Sequence, residues 1–151
     1  DKEWHVLADE LSQTYFTIDG NRLPDAPYVF KVQATDSPSN PADVALMSEE
    51  VTDSVEIDNT PPAIKAASPA NGGRTAEVTF DVSDTTSRVV KGEYSVDGES
   101  WQPVFPVDGI ADSARETFRV KVAFDKAGEH VIAFRCSDSS SNVGTSKMTV
   151  R

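Results

Sequence analysis

The chain repeats itself. Tyr28-Val-Phe-Lys-Val-Gln-Ala-Thr-Asp-Ser-Pro-Ser-Asn40 and His130-Val-Ile-Ala-Phe-Arg-Cys-Ser-Asp-Ser-Ser-Ser-Asn142 align without a gap. Trp4 and Trp101 stand ahead of the two copies, and the runs Thr14–Ile18 and Thr117–Val122 match between them. A last segment follows each copy, near Ser54–Ile57 and near Lys147–Val150. Repetition on this scale predicts two copies of one structural unit.

The unit is read from its periodicity. Val78, Phe80 and Val82 alternate with Glu77, Thr79 and Asp81, and Phe118, Val120 and Val122 alternate with Thr117, Arg119 and Lys121. Tyr28, Phe30, Val32 and Ala34 do the same. Alternation with a period of two is the signature of antiparallel strands with one face buried and one wet. Helical spacing is short everywhere; Ala42–Glu50 is the best stretch, worth one or two turns inside a loop. Turn signals at Asn71-Gly72-Gly73, Asp97-Gly98, Asp108-Gly109 and Ala127-Gly128 punctuate the strands. Seven strands follow residue 62: Ala63–Ala67, Thr75–Ser83, Val89–Val96, Trp101–Val104, Glu116–Phe124, His130–Ser137 and Lys147–Val150. That is the strand set of a full sandwich. Phe80, Tyr94, Trp101, Phe118, Ile132 and Phe134 are its expected core.

Asp58-Asn59-Thr60-Pro61-Pro62 divides the chain into residues 1–59 and 60–151. Successive prolines fix φ, donate no ladder hydrogen bonds and push Thr60 toward an extended conformation, so the joint is short and semi-rigid. The first half holds only the later strands. Asp1 aligns with Gly98, so this half is expected to begin inside a module and to expose an open edge and part of its core. The expected reason is that the chain is a segment of a larger protein; supply of the missing strands by another polypeptide is the alternative.

Tyr28-x-Phe-x-Val-x-Ala34 resembles the sixth strand of a fibronectin type III module, and Glu93-Tyr-Ser-Val-Asp-Gly-Glu-Ser-Trp101 resembles the third strand and hairpin of its bacterial relatives. Ile57-Asp-Asn-Thr-Pro-Pro62 is similar to the joints between tandem immunoglobulin-like modules of bacterial surface and exported proteins. The resemblance implies an all-β chain of immunoglobulin-like (fibronectin type III-like) β-sandwiches in tandem, the first one incomplete at its N-terminus. It also implies an extracellular, cell-surface or periplasmic location, and a tyrosine-corner hydrogen bond from Tyr28. His130 stands where the first copy has Tyr28, and Phe80 where such modules usually carry tryptophan.

The chemistry-bearing residues are few. The formal net charge is -11, which makes nucleic acid and anionic membrane surfaces poor partners. No apolar run reaches the roughly 20 residues of a spanning helix, so membrane insertion is not expected. Cys136 is the lone cysteine and excludes an intrachain disulfide; it reads as a buried small hydrophobe. No catalytic motif occurs, and His130 reads as a substitute for an aromatic strand residue. Residues 1–59 hold 3 basic and 13 acidic groups. Asp36, Asn40, Asp58 and Asn59, with Asp43 and Asp53, are the oxygen donors that calcium would use at the joint; a solvated acidic surface is the competing explanation. Trp4 and Trp101 are the residues on which a sugar would stack if exposed, against packing on the sheet.

The expected function is therefore a non-catalytic structural module of a larger exported or surface protein. It spaces or presents neighbouring domains of the same longer chain and needs no cofactor. A carbohydrate- or protein-binding module using the end loops is the alternative. An enzyme would need a cleft with paired carboxylates, which no spacing here foretells. An open edge in the first half also predicts weak dimerisation by strand addition.

Overall fold

The structure is a computed structural model, and it describes residues 3–71 and 73–151. Gly72 of the Asn71-Gly72-Gly73 turn and Asp1, aligned above with Gly98, lie outside the described residues. Among those described there is no α-helix; the one helical piece is a three-residue 3-10 turn, Gly20–Arg22. Among the described residues eleven strands carry the fold: β1 (Ala26–Tyr28), β2 (Lys31–Thr35), β3 (Met47–Val51), β4 (Val55–Ile57), β5 (Ala63–Asn71), β6 (Thr75–Ser83), β7 (Val89–Val96), β8 (Gln102–Val104), β9 (Arg115–Ala123), β10 (His130–Asp138) and β11 (Val143–Val150). The described strand pairings are antiparallel.

From Ala63 onward two sheets face each other. One is three-stranded in the order β5-β6-β9, the other four-stranded in the order β11-β10-β7-β8. The period-two pattern explains which side faces in. Ala76, Val78, Phe80 and Val82 of β6 are buried, as are Phe118 and Val120 of β9 and Ile132, Phe134 and Cys136 of β10. Phe80 stacks on Phe134 across the layers with centroids 4.5 Å apart, and Phe118 tilts against Phe134 at 5.1 Å. Complete burial of side chains this large contributes about 1.5–3 kcal/mol each. Trp101 is not in this core, contrary to expectation; it precedes the short β8 and lies at the surface.

Two glycines set how closely backbones approach. A Cβ on Gly92 would lie 2.5 Å from the Phe118 ring, so the residue makes room for the opposite sheet. A Cβ on Gly144 would lie 2.1 Å from the Pro62 carbonyl oxygen, so β11 packs directly against the chain entering β5.

The first half is built otherwise. It forms two separate two-stranded sheets, β1-β4 and β2-β3. Residues 3–18 contain no strand, so the strand expected at Thr14–Ile18 is absent. Where the two copies align, β10 runs unbroken but its counterpart is split between β1 and β2 at Val29-Phe30. Ala42–Glu50 is not helical beyond one turn, closed by Ala45 N–H on Pro41 O at 2.9 Å, after which Met47–Val51 pairs with β2 as a strand. Cross-strand pairing outweighs the weak helical preference there. No described residue before Asp58 is buried; Ala34 and Val32 are exposed where their counterparts Cys136 and Phe134 are buried.

Candidate functional site

The joint gathers the polar groups. Asp58 precedes Pro61-Pro62, Asp84 follows β6, and Asp138 ends β10. All three are buried, 8%, 8% and 2% exposed, and one carboxylate oxygen from each lies within 4.8 Å of the others. Each carboxylate caps its own turn. Asp58 Oδ1 accepts from Thr60 N–H at 3.0 Å, and Asp84 Oδ1 from Thr86 and Ser87 N–H at 2.9 and 2.8 Å. Asp138 Oδ1 accepts from Ser140 and Asn142 N–H at 2.9 and 2.8 Å. Short acidic side chains favour such local turns.

The second oxygens are treated unequally. Asp138 Oδ2 accepts from Asn142 Nδ2 at 3.0 Å, and the same amide donates to the Asp58 carbonyl at 3.0 Å. Oδ2 of Asp58 and Oδ2 of Asp84 are buried without a hydrogen-bond partner, and so is Ser87 Oγ in the Asp84 turn. Among the described ion pairs none reaches these carboxylates. Two unit charges 4.8 Å apart repel by about 3.5 kcal/mol at an effective dielectric near 20. An all-oxygen, anionic, buried donor set of this kind suits hard cations.

Of the sequence-derived calcium set, only Asp58 joins this cluster. Asp36 closes the β2–β3 loop, its Oδ1 accepting from Leu46 N–H at 2.7 Å, and Asn40 donates to the Asp36 carbonyl at 3.4 Å. Asn59 faces the first half: its Nδ2 donates to Leu23 O and Asp25 Oδ1, both at 3.1 Å, and its N–H donates to Asp25 Oδ1 at 2.8 Å. The Thr60 hydroxyl donates to Asp25 Oδ2, and this bond, then the Asn59 N–H, holds the Asp25 carboxyl below its ordinary range. Asp84 and Asp138 were missed. The signal for Asp138 lay in the repeat, where it aligns with Asp36; Asp84 comes close only through sheet stacking, which spacing along the chain does not encode.

The two tryptophans are at the surface, Trp4 45% and Trp101 37% exposed. Each has a cation over its ring, Lys31 Nζ at 4.9 Å and the Arg135 guanidinium at 4.2 Å. Each cation is paired with a glutamate: Lys31 with Glu49 at 3.5 Å, Arg135 with Glu93 at 2.9 Å.

Tyr28 and His130, aligned in the repeat, make the same upstream bond. Tyr28 Oη donates to Pro24 O at 2.9 Å, and His130 Nε2 lies 3.0 Å from Lys126 O. His130 also stacks on Phe124 at 3.9 Å, the place of an aromatic ring. Cys136 is fully buried; that burial, then the charges of Asp138 and Asp84, push its thiol up to about 12.

A concavity of about 430 Å³ opens between β5, β6 and β9, lined by Ile64, Asp81, Arg115, Glu116 and Thr117 among others. Its acids are committed: Asp81 accepts from Thr117 Oγ1 at 2.9 Å, and Glu116 accepts from Asp112 and Ser113 N–H at 3.1 and 2.9 Å. Compared with known proteins, the sequence matches no family model and no curated protein significantly.

Proposed function

We propose that this chain is a non-catalytic structural module of a larger exported or surface protein, built as immunoglobulin-like units in tandem, the first one incomplete, that hold neighbouring domains at a set spacing and direction. The observation that carries the reading is the joint. Asn59 and Thr60 are bonded to Asp25, on the first half, while the Asp58 carbonyl is bonded to Asn142, on the second. Pro62 packs against Gly144. A hinge would leave these groups to solvent; a spacer fixes them on both sides.

The apolar surface of the first half supports the same reading. Val6, Leu7, Leu11, Tyr15, Phe16 and Leu46 are all at least half exposed. A surface this apolar calls for a neighbouring domain to cover it. The paired upstream bonds of Tyr28 and His130 support the duplication.

Spin labels at Glu50→Cys and Lys147→Cys test the spacer role, since the native thiol is buried. One narrow distance distribution is expected, broadened by Asn59→Ala. A broad distribution in the otherwise unaltered chain would count against it. The binding-module reading has one observation in its favour, the exposure of Trp101 beside Arg135 and Glu93. Glycan-array binding lost in a folded Trp101→Ala variant would support it; silence across the array argues against it.

A further inference from the structure

The joint contains more acid than a spacer needs. We infer that Asp58, Asp84 and Asp138 bind one divalent cation of the hard, oxygen-preferring class, calcium in particular, and that the ion ties the segment entering β5 to the ends of β6 and β10. The site goes beyond the spacer role and does not depend on it.

Three facts carry the inference. The three carboxylate oxygens lie within 4.8 Å of one another. Oxygens bound to one calcium at about 2.3–2.6 Å can be separated by up to about 5 Å, so the set converges closely enough to share an ion. Next, Asp58 and Asp84 are each more than nine-tenths buried and each keeps one oxygen without any hydrogen-bond partner. A native fold seldom leaves such atoms unsatisfied, and a carboxylate oxygen is satisfied only by a donor or a cation. Finally, no described lysine or arginine pairs with the cluster, so its negative charge has no protein counter-charge.

The donor set selects the ion. Carboxylates without imidazole or thiolate disfavour zinc and copper. Burial also separates calcium from magnesium, because magnesium gives up its water reluctantly and calcium accepts irregular oxygen cages. Asn142 acts as a positioning residue: its amide holds both the Asp58 carbonyl and Asp138 Oδ2.

The test uses the whole chain, stripped with a chelator and titrated with calcium chloride. Calorimetry should show one saturable site, and the unfolding temperature should rise with calcium toward saturation. Magnesium at equal concentration should bind at least 10-fold more weakly. Asp84→Asn keeps the Oδ1 acceptor for its turn but removes a charge. It should raise the unfolding temperature in chelator and weaken calcium binding at least 100-fold. Asp125→Asn, an exposed loop change, should alter neither. If Asp84→Asn does not fold, amide shifts in the unmodified chain decide: calcium should move Thr60, Ser87 and Ser140 together, the donors to the three carboxylates. No saturable binding, a full calcium response in folded Asp84→Asn, equal binding of magnesium, or shifts confined elsewhere would each overturn the inference.

Discussion

His130 joins a structural role to a pH dependence. Its Nε2 faces the Lys126 carbonyl at 3.0 Å and its Nδ1 faces Asp97 Oδ2 at 2.7 Å. Both neighbours accept hydrogen bonds, so both ring nitrogens serve best as donors, which is the imidazolium form. The Asp97 bond, then the Lys126 carbonyl, raises the His130 pKa, and the His130 bond lowers that of Asp97. A raised histidine stabilises the fold fully below its ordinary value of about 6.5 and loses that contribution as pH rises through the folded value. A lowered aspartate does so above about 3.9 and loses it as pH falls through the folded value. The pair therefore contributes most between about pH 4 and pH 6.5. The stability gap between the native chain and His130→Gln should shrink from pH 6 to pH 9, and NMR should place the His130 titration above its ordinary value. A titration at or below it, with a gap independent of pH, would contradict the assignment. The aromatic-replacement role of this residue was legible in the repeat alignment. The Asp97 contact was not, because it depends on the β7–β10 pairing.

Among the elements, β6 and β7 run over the spans their alternation and turns mark, Thr75–Ser83 and Val89–Val96. Their inward side chains meet a second sheet, so local pattern and packing agree. In the first half they disagree. Thr14–Ile18 carries the pattern of a strand, but among the described residues no strand pairs with it, and a strand needs a partner for its backbone groups. Tyr28–Ala34 keeps its pairing but breaks in two, since no opposing layer holds its face flat. Isolated two-stranded sheets such as β1-β4 and β2-β3 are marginal by themselves. The β5–β11 contact is the reverse case: the sequence gives no hint that Gly144 faces Pro62. Gly144→Ala should cost about 1–3 kcal/mol as an overpacked contact, measured by urea unfolding. Phe134→Ala, which empties the centre of the aromatic triad, should cost about 3–5 kcal/mol. A neutral outcome for either would mean that the layers are not packed as described.

At the scale of the whole molecule, charge and apolar surface are unevenly shared. The acidic excess lies in residues 1–59, which also hold much of the exposed apolar surface. The acids oppose self-association and the open strand edges favour it. Sedimentation should therefore show association that grows with concentration and with added salt, as screening lengths fall to about 8 Å at 0.15 M. A strictly monomeric species at high concentration and high salt would argue against open edges. The joint is marked in the sequence by its successive prolines. Its chemistry was only partly legible, because Asp84 and Asp138 reach Asp58 through the fold rather than along the chain.

The joint belongs to the folded core, not to a tether: Asp58 is buried and its carbonyl is bonded to Asn142. Native-state hydrogen exchange of the intact chain tests it most directly. The Asn59 and Thr60 amides, bonded to Asp25 and Asp58, should exchange slowly with those of β6, β9 and β10. Exchange at Asn59 and Thr60 as fast as in residues 3–18 would contradict it.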